Sequence, residues 1–172
     1  GFVGSNLVKA LVPEHTIFGL DIVAPKKEGV KKTFFWEDLP STNLGQTQLL
    51  DFPKIDAIIH LAGKAHDTRN KSTADVYFRV NTGLTQRIFD WFLTSKSAKK
   101  FIFFSTVKSA ADRVEGEFLT EECVPTPVGP YGESKIKAED YIIGHFAPEA
   151  LERPYHNFND SDSIIKDKQV YI

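Results

Sequence analysis

The chain has 172 residues, of which 41% are hydrophobic and 26% charged, and these values fit about one soluble globular domain and exclude a disordered or collagen-like chain. Its formal net charge of -2 offers no basic surface to nucleic acid or an anionic membrane, so we expect a small-molecule ligand and neither of those partners. The single cysteine, Cys123, supplies neither an internal disulfide nor a cysteine-rich metal site. We therefore predict no metal site and a reducing, cytoplasmic location.

The first third of the chain predicts helices and strands in alternation. Apolar spacing indicates a short helix over 5–11 that ends before Pro13, and a buried strand over 16–21 that ends in Asp21. Four lysines, Lys26, Lys27, Lys31 and Lys32, indicate a solvated loop. The elements predicted next are a strand over 34–36, a short helix over 44–52 and a third strand over 55–63 that leads into a glycine turn.

The rest of the chain continues the alternation. A long amphipathic helix is predicted over 74–93, because apolar residues recur every fourth position at Val76, Val80, Leu84, Ile88 and Phe92. A strand over 101–106 and a helix over 131–146 follow. Such alternation predicts a parallel sheet covered on both faces. We predict a nucleotide-binding domain over 1–150 and an atypical polar segment over 151–172, in which 170–172 begins a further strand.

The chain opens on Gly1-Phe2-Val3-Gly4, directly before a predicted helix. This pattern suits the end of a glycine-rich loop whose backbone N–H groups bind a diphosphate, although paired glycines are also common in ordinary turns. Asp21 follows at about the 20-residue spacing expected of a carboxylate that binds the adenosine ribose hydroxyls. It would repel a 2′-phosphate and so favours NAD over NADP; the ordinary alternative is a turn-capping aspartate.

Tyr131 and Lys135 lie four positions apart on a predicted helix, which places both side chains on one helix face. An ammonium group in that position stabilises a phenolate, the form in which tyrosine accepts a proton. The same spacing also arises by chance. Ser105-Thr106 closes a predicted strand, and a hydroxyl there suits a substrate oxygen beside the phenol or, alternatively, a simple cap of the strand end.

These motifs, taken in their order, resemble the extended short-chain dehydrogenase/reductase family, especially its NAD-dependent nucleotide-sugar epimerases and dehydratases. The resemblance covers 1 to about 147 and rests on Gly1 to Gly4, Asp21, Asp38-Leu39, Asp56 to Gly63, Asn81, Phe103 to Thr106, and Tyr131 to Lys135. It implies a Rossmann-like doubly wound parallel sheet of the α/β class, incomplete because the first strand and the C-terminal substrate domain are missing. The chain is accordingly expected to be a fragment.

The resemblance also implies roles for single residues. Tyr131 is the expected catalytic acid and base, Lys135 stabilises its phenolate and holds the nicotinamide ribose, and Thr106 bonds the substrate hydroxyl. The expected cofactor-binding residues are Gly1, Phe2, Val3, Gly4, Asp21, Asp38, Leu39, Leu61, Ala62, Gly63, Asn81, Tyr131 and Lys135. Without the resemblance, Asp38 is an ordinary loop acid, Asn81 a hydrogen-bonding helix residue and His60 a packed histidine, not a metal ligand.

The activity implied is that of an NAD-dependent UDP-sugar 4-epimerase, with a nucleotide sugar as substrate and a homodimer formed through the helices at 74–93 and 131–146. Val107-Lys108 follows Thr106 where dehydratases usually carry an acidic pair, which favours the epimerase over the dehydratase. An NAD(P)H-dependent ketone reductase of the same superfamily and a non-catalytic dinucleotide-binding module stay open as alternatives. We also expect the fragment alone to be inactive.

Overall fold

The computed structural model describes residues 1–23, 27–39, 53–65, 72–114, 116–120, 123–152 and 163–172. The chain forms two compact units, Gly1–Phe52 and Pro53–Ile172. Each unit contains parallel strands and helices, which gives the α/β, Rossmann-like architecture expected from the sequence. The expected division at residue 150 stays a prediction.

The first unit contains one helix and two strands. Its elements are α1 (Phe2–Leu11), β1 (Ile17–Asp21), β2 (Val30–Phe35) and a 3-10 turn over Trp36–Asp38. Strands β1 and β2 pair in parallel, with Leu20 opposite Phe34. The turn before β2 requires Gly29, because its φ is +83° and an added Cβ would lie 2.7 Å from the Val12 Cγ2 atom of the segment after α1.

Strand β2 corrects the predicted lysine-rich loop. Lys31 and Lys32 belong to this strand, and Trp36 belongs to the turn that follows it. Both lysines are exposed, and Lys32 Nζ lies 4.5 Å from the centre of the Phe34 ring. An exposed lysine in a strand can pack its stem and ammonium on an aromatic neighbour, so its charge does not exclude a strand.

The second unit is built on a parallel three-stranded sheet of order β3-β4-β5. Its elements are β3 (Ala57–His60), α2 (Ala74–Tyr77), a π-helical segment (Phe78–Gly83), α3 (Leu84–Thr94), β4 (Lys100–Phe103), α4 (Val107–Ala110), α5 (Gly129–Phe146), a 3-10 turn (Pro148–Glu152) and β5 (Gln169–Tyr171). The strands predicted around 58, 102 and 171 are confirmed. The helix predicted over 44–52 lies outside the described residues.

The π-helical segment changes which face of the long helix is buried. Of the predicted apolar positions, Val76, Val80 and Leu84 are only half-buried. The residues that the structure buries are Tyr77, Asn81, Thr85, Ile88, Phe89 and Phe92. A π turn takes in one residue more than an α turn and therefore rotates the side chains around it, which places polar Asn81 and Thr85 towards the interior.

Aromatic side chains form the centre of this unit. Phe89, Phe92, Phe101 and Phe146 are fully buried, and the Phe89 and Phe101 rings meet edge to face with their centres 5.0 Å apart. The Phe89 and Phe92 rings of α3 thus pack on Phe101 of β4, and α3 also contacts α5. In the part of the chain that the structure describes, no helix has the length and apolar character needed to cross a membrane.

Candidate active site

The start of α1 fits an anionic group. Gly1 is its N-cap, the first turn carries no acidic residue, and a Cβ built on Gly1 would meet no atom within 4 Å. Ser5 Oγ donates a 2.8 Å hydrogen bond to the Gly1 carbonyl and closes the first turn. Unpaired N–H groups and the positive end of a ten-residue helix suit the negative charge of a diphosphate.

The two acids predicted to contact the cofactor follow the strands of the first unit. Asp21 ends β1 and is exposed, and its Oδ1 accepts hydrogen bonds from the backbone N–H groups of Ile22 and Val23 at 2.7 and 3.4 Å. Asp38 Oδ2 accepts from Phe35 N at 3.0 Å, while Leu39 is buried. An exposed carboxylate with a fixed orientation, in the same unit as α1, fits the ribose hydroxyls of NAD.

Lys135 is the most deeply buried of the predicted catalytic residues, with 5% of its surface exposed. Its Nζ donates a 2.7 Å hydrogen bond to the Phe104 carbonyl and lies 4.3 Å from the centre of the Phe103 ring. Burial lowers the pKa of Lys135 to about 8, and the charge of Glu139 acts in the opposite direction. The side chain therefore keeps its charge at neutral pH and points to the end of β4.

Tyr131 lies in the first turns of α5 and is partly exposed. Its ring meets the Tyr77 ring edge-on with the centres 6.5 Å apart, and its carbonyl accepts a 2.8 Å hydrogen bond from Ser134 Oγ. Because α5 is continuous from Gly129 to Phe146, Tyr131 and Lys135 lie one turn apart on one face, as the spacing predicted.

Thr106 lies between β4 and α4. Its Oγ1 accepts from Lys108 N at 3.3 Å and caps the start of helix α4, which differs from the strand-end cap given as the alternative. Helix α4 packs closely on α5 at Gly132, where an added Cβ would lie 2.3 Å from the Lys108 carbonyl oxygen. The glycine beside Tyr131 therefore permits the segment that follows Thr106 to approach α5.

Asn81 joins three parts of the site. Its Oδ1 accepts from Lys64 N at 2.6 Å, and its Nδ2 donates to Lys64 O at 3.1 Å and to Ser134 Oγ at 2.9 Å. A Cβ on Gly63 would lie 3.2 Å from Asn81 Oδ1 and 3.9 Å from Lys135 Nζ. The loop after β3, which contains Leu61, Ala62 and Gly63, is thus held against α5. Direct contact between Asn81 and a cofactor stays a prediction.

His60 is the packed histidine that the sequence predicted. Its Nε2 lies 2.8 Å from Thr85 Oγ1, whose hydroxyl donates to the Asn81 carbonyl at 2.6 Å. The Thr85 hydroxyl has one proton and donates it to the Asn81 carbonyl. In the His60–Thr85 hydrogen bond, His60 Nε2 is therefore the donor and Thr85 Oγ1 the acceptor. Burial and, secondarily, the charge of Lys135 lower the pKa of His60 to about 3.

The low pKa of His60 predicts an acid-sensitive fold. Between pH 6.5 and 3 the unfolded chain binds a proton at this position and the folded chain does not, so the free energy of unfolding falls with falling pH. From pH 7 to pH 5 we expect the loss to be about 2 kcal/mol. Urea unfolding across this range should show the loss, and His60→Gln, which does not titrate, should show much less of it.

His145→Gln is the matched control, because His145 is exposed on α5. That variant should lose stability with falling pH as the unsubstituted protein does. Equal pH dependence in His60→Gln and the unsubstituted protein would contradict the assignment.

Two residues of this region were not singled out in the sequence. Glu139 is 2% exposed and accepts a hydrogen bond from Ser105 Oγ. Ser134 links Asn81 to the Tyr131 carbonyl. In the sequence, Glu139 could have been found from its position four residues after Lys135 on the same predicted helix, where the two side chains share a face.

The structure places the predicted site residues in both units. Gly1 to Gly4, Asp21, Asp38 and Leu39 belong to the first unit, and Leu61, Ala62, Gly63, Asn81, Thr106, Tyr131 and Lys135 belong to the second. Within the described residues, no group of three or more His, Cys, Asp or Glu side chains is arranged to hold a metal ion.

Known proteins resemble the chain in sequence. It is 26% identical over 145 residues to UDP-glucose 4-epimerase of Streptococcus mutans, covering 81% of this chain and 43% of that protein. It is 27% identical over 161 residues to UDP-glucose 4-epimerase of Vibrio cholerae, covering 88% and 46%. The chain thus spans less than half the length of these relatives.

A solved structure and a family model agree with these relatives. UDP-glucuronic acid 4-epimerase from Bacillus cereus, in complex with UDP-glucuronic acid and NAD, superposes with a TM-score of 0.60 at 27% identity, covering 82% of this chain and 48% of that one. The model of the NAD dependent epimerase/dehydratase family matches residues 1–149. Since this match includes both units' predicted nucleotide and catalytic residues, the chain belongs to the NAD dependent epimerase/dehydratase family.

Proposed function

We propose that the protein containing this chain is an NAD-dependent UDP-sugar 4-epimerase. The observation that carries the proposal is the buried ammonium of Lys135, one helical turn from Tyr131 and bonded to the Phe104 carbonyl at the end of β4. A positive charge held there favours a tyrosine that gives and takes a proton at a sugar hydroxyl. The 4-epimerases among the relatives and solved structures favour C4 as the site of reaction.

The first unit supplies residues suited to NAD. The start of α1 at Gly1 to Gly4 would bind its diphosphate, and the Asp21 carboxylate would accept hydrogen bonds from the adenosine ribose. Asp38 and Leu39 would lie by the adenine. When bound, NAD supplies the oxidising step by accepting hydride from the sugar and returning it to the opposite face.

The second unit supplies the proton chemistry. Tyr131 would remove the proton of the 4-hydroxyl as the sugar is oxidised and give it back as the sugar is reduced. Thr106 would hydrogen-bond the same oxygen and orient it, while Lys135 stabilises the phenolate and bonds the nicotinamide ribose. We also propose, on the family resemblance alone, that the whole protein is a homodimer.

The proposal is tested by turnover of UDP-sugars with catalytic NAD. Incubation with UDP-glucose and, separately, UDP-glucuronic acid should yield the C4 epimer of one of them by proton NMR, with no net accumulation of NADH. Stoichiometric use of reduced cofactor without an epimer would instead identify a reductase. Saturable NAD binding without turnover of any UDP-sugar would identify a non-catalytic module.

A further inference from the structure

A buried acid lies beside the candidate catalytic lysine. Glu139 follows Lys135 by one turn of α5, and the side chains are 2% and 5% exposed. A carboxylate is rarely buried without compensation, because removing it from water costs several kcal/mol unless charge or hydrogen bonds replace the solvent. The partners that surround Glu139 therefore indicate why an acid occupies this position.

Both charged side chains bond the same short segment. Lys135 Nζ donates to the Phe104 carbonyl, and Ser105 Oγ donates to Glu139 Oε1. These consecutive residues come between β4 and Thr106, the expected partner of the substrate hydroxyl. The acid and the lysine thus attach α5 to the segment that carries Thr106.

Glu139 also acts on the charge of Lys135. Burial alone lowers the pKa of Lys135, and the negative charge of Glu139 opposes that shift. The titratable residues on the elements around Lys135 include His60 on β3, Lys64 in the loop after it, Tyr77 on α2, and Tyr131 and Glu139 on α5. His60 is neutral at pH 7 because its pKa is about 3, so it adds no charge beside Lys135.

We propose that Glu139 is a positioning residue for the reaction: its carboxylate keeps Lys135 in the ammonium form and, through Ser105, fixes the segment that carries Thr106. The effect of Glu139 on the reaction rests on the proposed function. Its effect on the protonation of Lys135 does not, and can be measured without turnover. Glu139 acts through Lys135 and Ser105, and no direct contact with substrate is required of it.

Two substitutions separate charge from hydrogen bonding. Glu139→Gln removes the charge but keeps an oxygen that accepts from Ser105, whereas Ser105→Ala removes the hydrogen bond and keeps the charge. In protein labelled on its lysines, with the Lys135 signal assigned by Lys135→Arg, NMR titration should give a midpoint near pH 8. Glu139→Gln should lower that midpoint by about one pH unit, a tenfold smaller ammonium-to-amine ratio. Ser105→Ala should leave it unchanged.

Turnover adds a second readout. The kcat/KM of the epimerase should fall on the alkaline side as Lys135 loses its proton, and Glu139→Gln should move that fall to lower pH by the same amount. At lower pH, where Lys135 is protonated in both proteins, the variant should recover most of its activity. Ser105→Ala should lower kcat about equally at every pH. An unchanged Lys135 titration midpoint in Glu139→Gln would overturn this proposal. If the midpoint shifts as expected but the unsubstituted protein has no epimerase activity, only the proposed function is overturned.

A folding defect in Glu139→Gln would still be informative. If the variant fails to fold because Lys135 is left as an isolated buried charge, then adding Lys135→Met should restore a cooperative urea transition. A double variant that stays unfolded would show that Glu139 serves the fold independently of Lys135 and would overturn the proposal.

Discussion

Replacing Tyr131 with phenylalanine is expected to lower kcat of the proposed epimerase about a thousandfold, within the range of rate effects for a lost acid–base group. The substitution removes the phenol oxygen and keeps the ring that meets Tyr77 edge-on. Folding and NAD binding should therefore be unaffected. Steady-state kinetics, a thermal melt and an NAD titration would test the three expectations together. A kcat within about tenfold of the unsubstituted protein would contradict the role of Tyr131.

Tyr141→Phe is the matched control for that experiment, because it makes the same change on the same helix. The Tyr141 hydroxyl donates a 2.6 Å hydrogen bond to Asp90 and lies almost three turns beyond Tyr131 on α5. Loss of that bond should lower the free energy of unfolding by about 1 kcal/mol. It should leave kcat unchanged. A fall in kcat of Tyr141→Phe would show that losing any phenol hydroxyl from α5 impairs turnover.

The sequence predicted those strands and helices whose apolar pattern matches one regular period. The runs that became β3 and β4 carry apolar residues on both faces without regular polar alternation, His60 and Lys100 being their polar residues, and this is typical of strands covered on both sides. Charge was taken as a sign of a loop at Lys31 and Lys32, and the start of β2 was therefore missed, although both lysines are exposed residues of this strand. The π-helical segment also has no signature in the four-residue spacing, so the buried face was predicted wrongly at Val76, Val80 and Leu84 and correctly at Ile88 and Phe92.

The active-site residues were predicted from sequence motifs, and a motif does not identify the groups that its residues contact in the fold. The spacing of Tyr131 and Lys135 was sufficient to place them on one face of α5. The two bonds to the segment before Thr106, from Lys135 to Phe104 and from Ser105 to Glu139, join residues more than thirty positions apart. No local pattern contains such contacts, and for that reason Glu139 was not recognised in the sequence.

The same long-range packing makes Gly132 a sensitive position. We expect Gly132→Ala to lower the free energy of unfolding by about 2 kcal/mol, the middle of the range for overpacking. The new Cβ would lie 2.3 Å from the Lys108 carbonyl oxygen and 3.1 Å from Pro127 Cβ, and the backbone atoms of α4 cannot rotate away as a side-chain end could. Separation of α4 from α5 would also displace Thr106, so kcat should fall about a hundredfold, as expected for a misplacement near 1 Å.

Gly144→Ala distinguishes this packing effect from the ordinary consequence of changing a helical glycine. A Cβ on Gly144 would lie 3.4 Å from Leu151 Cδ1, an ordinary contact with the end of a side chain. Because alanine favours a helix over glycine, this variant should be more stable by about 0.5 kcal/mol with kcat unchanged. Urea unfolding would measure the free energy of unfolding of both variants, and steady-state kinetics would measure their kcat. If Gly132→Ala were as stable and active as Gly144→Ala, the close approach of α4 to α5 would have no part in placing Thr106.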